Sequence, residues 1–361
     1  MKKTSAAAKK STMVFCGGVD VGGTKISSAL FTRAGEISAK EKIPINTSGG
    51  DAAAGQARDR IEALEKAARA AGGRLAAVGI CVPGIAYSAS GKVWAPNIPG
   101  WDQYPLLERI RGHVPLVRVP DKKEWGHVPK VHVPIHVPIV LESDRSAYVA
   151  GESWRGAAAG ARDAVFLAVG TGIGAGIISG GLIIHGHEDI AGAVGWFGLN
   201  PAFKPEYASM GSFEAEASGN SVARKARELL ERGRASSILD LAGGRVEAVT
   251  AEVVAEAARK KDPLALEIVA ETVTYLAMGI ANIVSLLNPE VVVVGGGLFQ
   301  AADVFLDPVR REFKRWAQPL AARTVRIELS GLGEDAGLYG CGKLAWDRWE
   351  AAGNGLLGAT G

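Results

Sequence analysis

Apolar residues cluster in short blocks at 13–19, 75–82, 139–141, 164–169 and 291–294, each closed by a glycine, a proline or an acidic side chain. Blocks of that length bounded by turn formers predict buried strands. The start is rich in hairpins, with 26–31 and 36–45 separated by Thr32-Arg33-Ala34-Gly35. A second strand–turn–strand unit runs from 164–169 through Gly170-Thr171-Gly172-Ile173-Gly174 into 176–179, then through Gly180-Gly181 into 182–184. Four consecutive valines at 291–294 read as a fully buried parallel strand entering Gly295-Gly296-Gly297.

Between these blocks the apolar period changes to three and four residues. Ile61, Leu64, Ala68 and Ala71 predict a helix over 54–71 that Gly72-Gly73 stop. Further helices are expected at 220–232, 251–261 and 304–316, and a last one from 336 through 349. Asp262-Pro263 cap and start a helix to 287, whose stripe of Ile268, Thr272, Leu276, Ile280 and Val284 marks core, and Asn288-Pro289 end it. Residues 192–219 read mostly as loop, and 1–12 and 351–361 as flexible tails.

The turn Val19-Asp20-Val21-Gly22-Gly23-Thr24-Lys25 carries candidate chemistry. Adjacent glycines let backbone amides approach an anion, the Asp20 carboxylate suits a metal-bound water, and Thr24 can donate to a phosphate oxygen. A hairpin turn with an acidic cap fits the same residues. The second turn strengthens the phosphate reading. A dinucleotide fingerprint requires a helix after the glycines, whereas Ile177 and Ile178 continue as strand, so that alternative fails. Two strand–turn–strand tips suit a nucleotide clamped in a cleft between two domains.

Composition narrows the partners. The chain has 361 residues, enough for two domains, with 41 basic against 38 acidic side chains scattered along it, for a net charge of +3. That balance points away from nucleic-acid and membrane partners. Lys2, Lys3, Lys9 and Lys10 precede no apolar leader core, no run is expected to span a membrane, and Cys16, Cys81 and Cys341 form no metal-type pair. A cytoplasmic location with core cysteines follows.

Other residues invite two readings. Asn97 and Trp101, in the loop after Val82-Pro83-Gly84, either contact a ligand or brace the loop. Asp144, after Glu142-Ser143, either caps the helix running through Glu152 or takes a proton from a hydroxyl nucleophile. The triple glycine at 295–297 admits close approach by a base or ribose, or reflects tight packing. His-Val-Pro repeats at His113, His127, His132 and His136 fit an extended edge hairpin better than a metal site.

Taken in order, Asp-Val-Gly-Gly-Thr-Lys, Val-Pro-Gly, Ala-Pro-Asn-Ile-Pro-Gly-Trp, Ser-Asp, Gly-Thr-Gly-Ile-Gly, Gly-Gly-Gly and Gly-Glu-Asp-Ala-Gly-Leu-Tyr-Gly resemble the ROK family of bacterial sugar kinases and repressors, from Val14 to Ala345. The resemblance implies an α/β, two-lobed actin-like ATPase (ribonuclease H-like) fold with an interdomain nucleotide cleft. It implies a small lobe of 13–144 plus 336–350 and a large lobe of 145–335. It also implies ATP and Mg²⁺ as cofactors and a hexose as acceptor. By that resemblance Asp20, Gly22, Gly23, Thr24 and Lys25 form the first phosphate site, with Asp20 at Mg²⁺ through water or phosphate, and Gly170, Thr171 and Gly172 form the second. Gly295, Gly296 and Gly297 lie beside adenosine, Asp144 is the catalytic base, and Asn97, Ser143, Asp144, Glu214 and Trp196 face the sugar. A homodimer is expected.

Three departures from the family pattern alter the sugar pocket. The family's Ala-Gly-Glu-x-Gly-His is Ala191-Gly192-Ala193-Val194-Gly195-Trp196 here, replacing a sugar-binding carboxylate and a zinc- and sugar-binding imidazole. The following cysteine cluster is absent, with Ser212 at one of its positions, and Ser143 replaces an Asn. Residues 192–219 hold neither Cys nor His, so no structural zinc is expected and packing of Trp196, Phe197, Phe203, Tyr207 and Phe213 should hold the segment. His187, Glu188, Asp189 and Glu216 are the polar groups that could compensate in the pocket. A kinase of altered specificity is the leading expectation, and a non-catalytic sugar or nucleotide sensor of the same fold is the alternative. The repressor branch carries an N-terminal winged helix, and with only a short segment before the first strand that branch is not expected here.

Overall fold

The computed structural model describes residues 13–112 and 135–357. Most of the His-Val-Pro stretch, including His113, His127 and His132, lies outside the described residues. The chain divides into two compact units, Met1–Asp144 with Cys341–Gly361, and Arg145–Gly340.

In the first unit β1 (Met13–Val21) and β2 (Lys25–Phe31) pair antiparallel across the Gly22-Gly23 turn, and β3 (Ile37–Pro44) pairs antiparallel with β2. Helix α1 (Gly50–Ala70) follows, starting earlier than expected because Ala53 and Ala54 extend its buried stripe. Strand β4 (Gly73–Val82) pairs parallel with β1. Strands β5 (Ile85–Tyr87) and β6 (Lys92–Trp94) form a small hairpin that the sequence reads as loop, because three residues are too few to show alternation. After α2 (Leu106–Arg111), β7 (Ile139–Ser143) pairs parallel with β4, giving the order β3-β2-β1-β4-β7.

The second sheet repeats this plan. After α3 (Asp144–Arg155), β8 (Ala164–Val169), β9 (Ile173–Ser179) and β10 (Leu182–Ile183) form antiparallel pairs. Short helices α4 (Tyr207–Met210) and α5 (Ser212–Ala217) occupy the expected loop, followed by α6 (Gly219–Glu231), α7 (Ser237–Leu241), α8 (Ala251–Arg259) and α9 (Pro263–Leu287). Strand β11 (Val291–Gly295) lies parallel to β8. Beyond α10 (Ala302–Trp316) and α11 (Ala321–Thr324), β12 (Arg326–Leu329) lies parallel to β11, so the order is β10-β9-β8-β11-β12. The last helix, α12 (Ala336–Leu357), outlasts the expected end at 349.

Helix α9 is the spine of the second core. The Asp262 side chain accepts from the Ala265 amide at 3.0 Å, and Asn288 ends the helix in the left-handed region at φ 44°. Contrary to the sequence expectation, its 25 residues are long and apolar enough to cross a membrane, yet its buried face from Leu264 to Val284 packs within the unit. Phe213 of α5 is fully buried against it, and a Cβ at Gly279 would meet the Phe213 ring at 2.3 Å. The exchange Gly279→Ala should therefore lower stability by about 1–3 kcal/mol, the usual cost of overpacking, as read from the urea midpoint. An unchanged midpoint would mean that α5 is not seated on α9 through this contact.

Candidate active site

Parallel pairing determines which residues share the carboxyl edge of the first sheet. Asp20 lies opposite Cys81, Cys81 opposite Glu142, and Val82 opposite Ser143, with Asp144 next in the chain at the start of α3. In open α/β sheets that edge is where ligands bind. The Cys81 thiol donates to Asp20 Oδ1 at 3.2 Å, and Cys341 donates to the Val19 carbonyl at 3.4 Å. A hydrogen bond with Cys341, burial, and the charges of Asp20 and Asp144 push the Cys81 thiol well above its ordinary value, so it remains a neutral donor. Composition assigned these cysteines to the core; the strand register, invisible in sequence, sets one beside the candidate metal carboxylate.

The first turn is closed by the Gly22 amide donating to the Lys25 carbonyl at 2.8 Å, with Gly23 and Thr24 exposed. A Cβ at Gly23 would come within 3.2 Å of the Asn97 Cβ, so exposed Asn97 lies against this turn. Trp101 is buried instead and acts as a brace. Its Nε1 donates to the Gly50 carbonyl at 3.1 Å and its ring stacks on Tyr104, whose hydroxyl donates to Asp51. Ser143, another expected sugar contact, is also buried.

In the second unit the two glycine-rich turns adjoin. Gly295 lies opposite Ala168, and a Cβ at Gly170 would stand 3.7 Å from the Gly297 amide nitrogen. Gly296 has φ 94°, and a Cβ there would meet the Val169 carbonyl at 2.5 Å, so only glycine fits. Nothing lies within 4 Å of a Cβ built on Gly297. Close backbone beside open space, with Thr171 exposed at the neighbouring tip, fits a flat base or ribose next to a phosphate.

Glu214, on α5, reaches the second turn. Its Oε2 accepts from the Ile173 amide at 2.7 Å, and burial raises its carboxyl above the ordinary glutamate value while that hydrogen bond opposes the rise.

Apolar packing accounts for only part of what holds residues 192–219. Phe213 is buried and stacks on Phe197 at 6.4 Å between centroids, and Tyr207 is buried, but Trp196 and Phe203 are exposed. The missed element is Glu216, which is fully buried. It accepts from Lys204 Nζ at 2.5 Å and from the Tyr207 hydroxyl, while Lys225 Nζ lies 2.9 Å from its other oxygen. Asn200 Nδ2 also approaches, at 3.5 Å. Burial alone would raise the Glu216 carboxyl, but donors from Lys204, Tyr207 and Lys225 outweigh it and hold it at about 2. Glu216 is thus committed to the protein and does not serve as a compensating sugar ligand. Nothing in the sequence signals this depth, because α5 spans only Ser212–Ala217.

Ala193 lines an apolar pocket of about 170 Å³ with Val165, Ile177, Phe197, Ile283 and Leu286 among its walls. Of the other polar candidates, His187 and Glu188 form a solvated surface pair at 3.9 Å, while Asp189 is half-buried with φ 59°. Among the described residues no group of three or more His, Cys, Asp or Glu side chains is arranged to hold a metal ion.

Comparison with known proteins adds a consistent pattern. The family model for the ROK family matches residues 16–119 and 117–348. The chain is 33% identical over 335 residues to a glucokinase of Halalkalibacterium halodurans, covering 91% of this chain and 93% of the relative. It resembles the crystal structure of a ROK family glucokinase from Streptomyces griseus in complex with glucose and AMPPNP. There the TM-score is 0.69 and the identity 30%, over 92% of this chain and 99% of the other. A putative xylose repressor of Caldicellulosiruptor is 27% identical over 90% of this chain and 76% of its own length. The mixed α/β architecture is that of the actin-like ATPase fold.

The Glu216 cluster has a pH consequence. A carboxyl held at about 2 when folded and near 4.5 otherwise contributes stability that is fully present above about 4.5 and lost as pH falls through 2. Glu216→Gln should therefore be less stable at pH 7 and show a flatter loss of melting temperature below pH 5 than the parent protein. Parallel pH profiles for the two would remove Glu216 as the charge that holds this segment.

Proposed function

Because the chain belongs to the ROK family, we propose that it is an ATP-dependent sugar kinase, glucokinase-like in mechanism, transferring the γ-phosphoryl group to a hexose hydroxyl in the cytoplasm as a homodimer. The observation that carries this reading is the shared sheet edge of Asp20, Ser143 and Asp144, with Asn97 against the glycine turn of the same unit. The adjoining turns at Gly170 and Gly297, and the glucose and AMPPNP held by the Streptomyces griseus relative, support it.

In this reading Asp144 accepts the proton of the sugar hydroxyl while that oxygen attacks the γ-phosphorus; the bond to the bridging oxygen breaks and ADP leaves with its electrons. Gly22, Gly23, Thr24 and Lys25, and Gly170, Thr171 and Gly172, are the residues assigned to phosphate oxygens, and Gly295–Gly297 those assigned to adenosine. Mg²⁺, when bound, supplies charge neutralisation, and Asp20, oriented by the Cys81 thiol, is the residue to hold it through water or a phosphate oxygen. Asn97, Glu214 and Trp196 contact the sugar, with Ser143 supporting the edge from within. Ala193 and Trp196 supply no carboxylate or imidazole for sugar hydroxyls, which favours broadened specificity over tight selection of free glucose. The replaced groups and the repressor relative favour, as a second reading, a sensor that binds sugar without turnover.

A coupled ADP-release assay over a panel of hexoses and N-acetylhexosamines separates the two readings. The kinase reading expects sugar-dependent ADP release that Asp144→Asn lowers by about 10²-fold or more with nucleotide affinity retained. Saturable sugar binding with no ADP release across the panel would establish the sensor instead. Within the same assay, Asp20→Ala should raise the Mg²⁺ concentration needed for half-maximal rate, and Ala193→Glu combined with Trp196→His should shift preference towards glucose or N-acetylglucosamine. If the Mg²⁺ titration stayed unchanged, Asp20 would lose its assignment; an unchanged sugar ranking would do the same for positions 193 and 196.

A further inference from the structure

We infer that Glu214 is a positioning residue for the second phosphate turn, holding Gly170–Gly172 in shape through the Ile173 amide as well as contacting sugar. The inference rests on the kinase reading only in taking that turn to receive phosphate.

The turn is gripped on both shoulders by one segment. On its far side Glu214 Oε2 accepts from the Ile173 amide at 2.7 Å, and on its near side the Gly219 amide donates to the Gly170 carbonyl at 2.8 Å. Between them the turn closes on itself, the Gly170 amide donating to the Gly172 carbonyl at 2.9 Å. The carboxylate lies directly across the backbone, since a Cβ at Gly172 would stand 2.7 Å from Oε2 and 3.0 Å from Cδ. A side chain at position 172 would therefore push the Glu214 carboxylate off the turn.

The segment doing the gripping is itself rigid. Phe213 is buried against α9, Glu216 is pinned by Lys204, Tyr207 and Lys225, and Ser218 caps α6 by accepting from the Ser221 amide at 3.2 Å. Glu214 stands between the first two anchors, so its reach to Ile173 is set by packing on either side. A sugar hydroxyl that bonds the same carboxylate shares it with the turn, and sugar and nucleotide affinities become linked in both directions.

The test compares the parent protein with Glu214→Gln, Glu214→Ala and Glu214→Asp. Amide hydrogen exchange of the peptide spanning 169–176 is measured without ligands, and AMPPNP with Mg²⁺ is titrated calorimetrically without sugar. Glutamine keeps an acceptor oxygen at the same reach and should leave both readings within about twofold of the parent. Alanine has no acceptor and aspartate falls one methylene short, so both should speed exchange at Ile173 and weaken AMPPNP by about tenfold, the scale of one lost hydrogen bond. The aspartate variant keeps the charge and serves if alanine unfolds α5. Exchange and AMPPNP affinity at parent levels in both variants, with sugar affinity alone reduced, would overturn the inference and leave Glu214 a sugar contact. If the parent protein binds no AMPPNP, the kinase reading fails separately, and the exchange measurement still decides whether Glu214 holds the turn.

Discussion

Parallel pairing is the constraint on which this structure depends. In each sheet the hairpin strand that opens the unit, β1 or β8, runs parallel to two later strands, so three strand ends are carried to one edge whatever the length of chain between them. The residues that leave those ends must turn at once, and the chemistry follows from what sits there. In the first unit these are Asp20 with its glycines, Val82-Pro83-Gly84, and Ser143-Asp144; in the second they are Gly170–Gly172, Gly295–Gly297 and Ser330, whose amide continues the ladder to the Val294 carbonyl at 2.9 Å. A slip of one residue between β1 and β4 would move Asp20 from Cys81 to a neighbour and turn its side chain to the other face. The four-valine run of β11, wholly buried, locks the second register as the apolar block of β4 locks the first.

The repeated strand order also sets two dissimilar motifs at corresponding turns. Asp-Val-Gly-Gly-Thr-Lys and Gly-Thr-Gly-Ile-Gly each join the first two strands of a sheet built on the same plan. What differs is their support. The first turn has Asn97 laid against it by a loop bolted to the start of α1 through Trp101 and Tyr104, whereas the second is held by a carboxylate from α5. Around α5 a buried charge, Glu216, is retained where an apolar side chain would cost less to bury, and its partners come from separate stretches of chain at Lys204, Tyr207 and Lys225. Such a cluster specifies one arrangement of a glycine-rich segment that apolar contacts alone would leave loose.

Much of this was legible in sequence. Strands closed by glycine, the α9 stripe with its Asp262-Pro263 start, and both glycine-rich hairpin turns follow from periodicity and turn chemistry acting over a few residues. What stayed hidden depends on contacts between residues distant in sequence. Cys81 and Cys341 read as ordinary core until register and the last helix bring them beside Asp20 and Val19. Trp101 had two readings, and the Gly50 carbonyl 51 positions away decides between them. Residues 192–219 read as loop because α4 and α5 are each shorter than two turns and cannot show a helical period, and so the depth of Glu216 was not visible.

The central claim is that the residues gathered at these strand ends transfer phosphate to a sugar. Incubation with ATP labelled at the γ-phosphorus and a single hexose, followed by separation of the products, tests it without relying on coupled enzymes. The account predicts label in a hexose phosphate, formed in equal amount with ADP and lost in Asp144→Asn. Label recovered only as inorganic phosphate, or remaining in ATP while the sugar is bound, would contradict it.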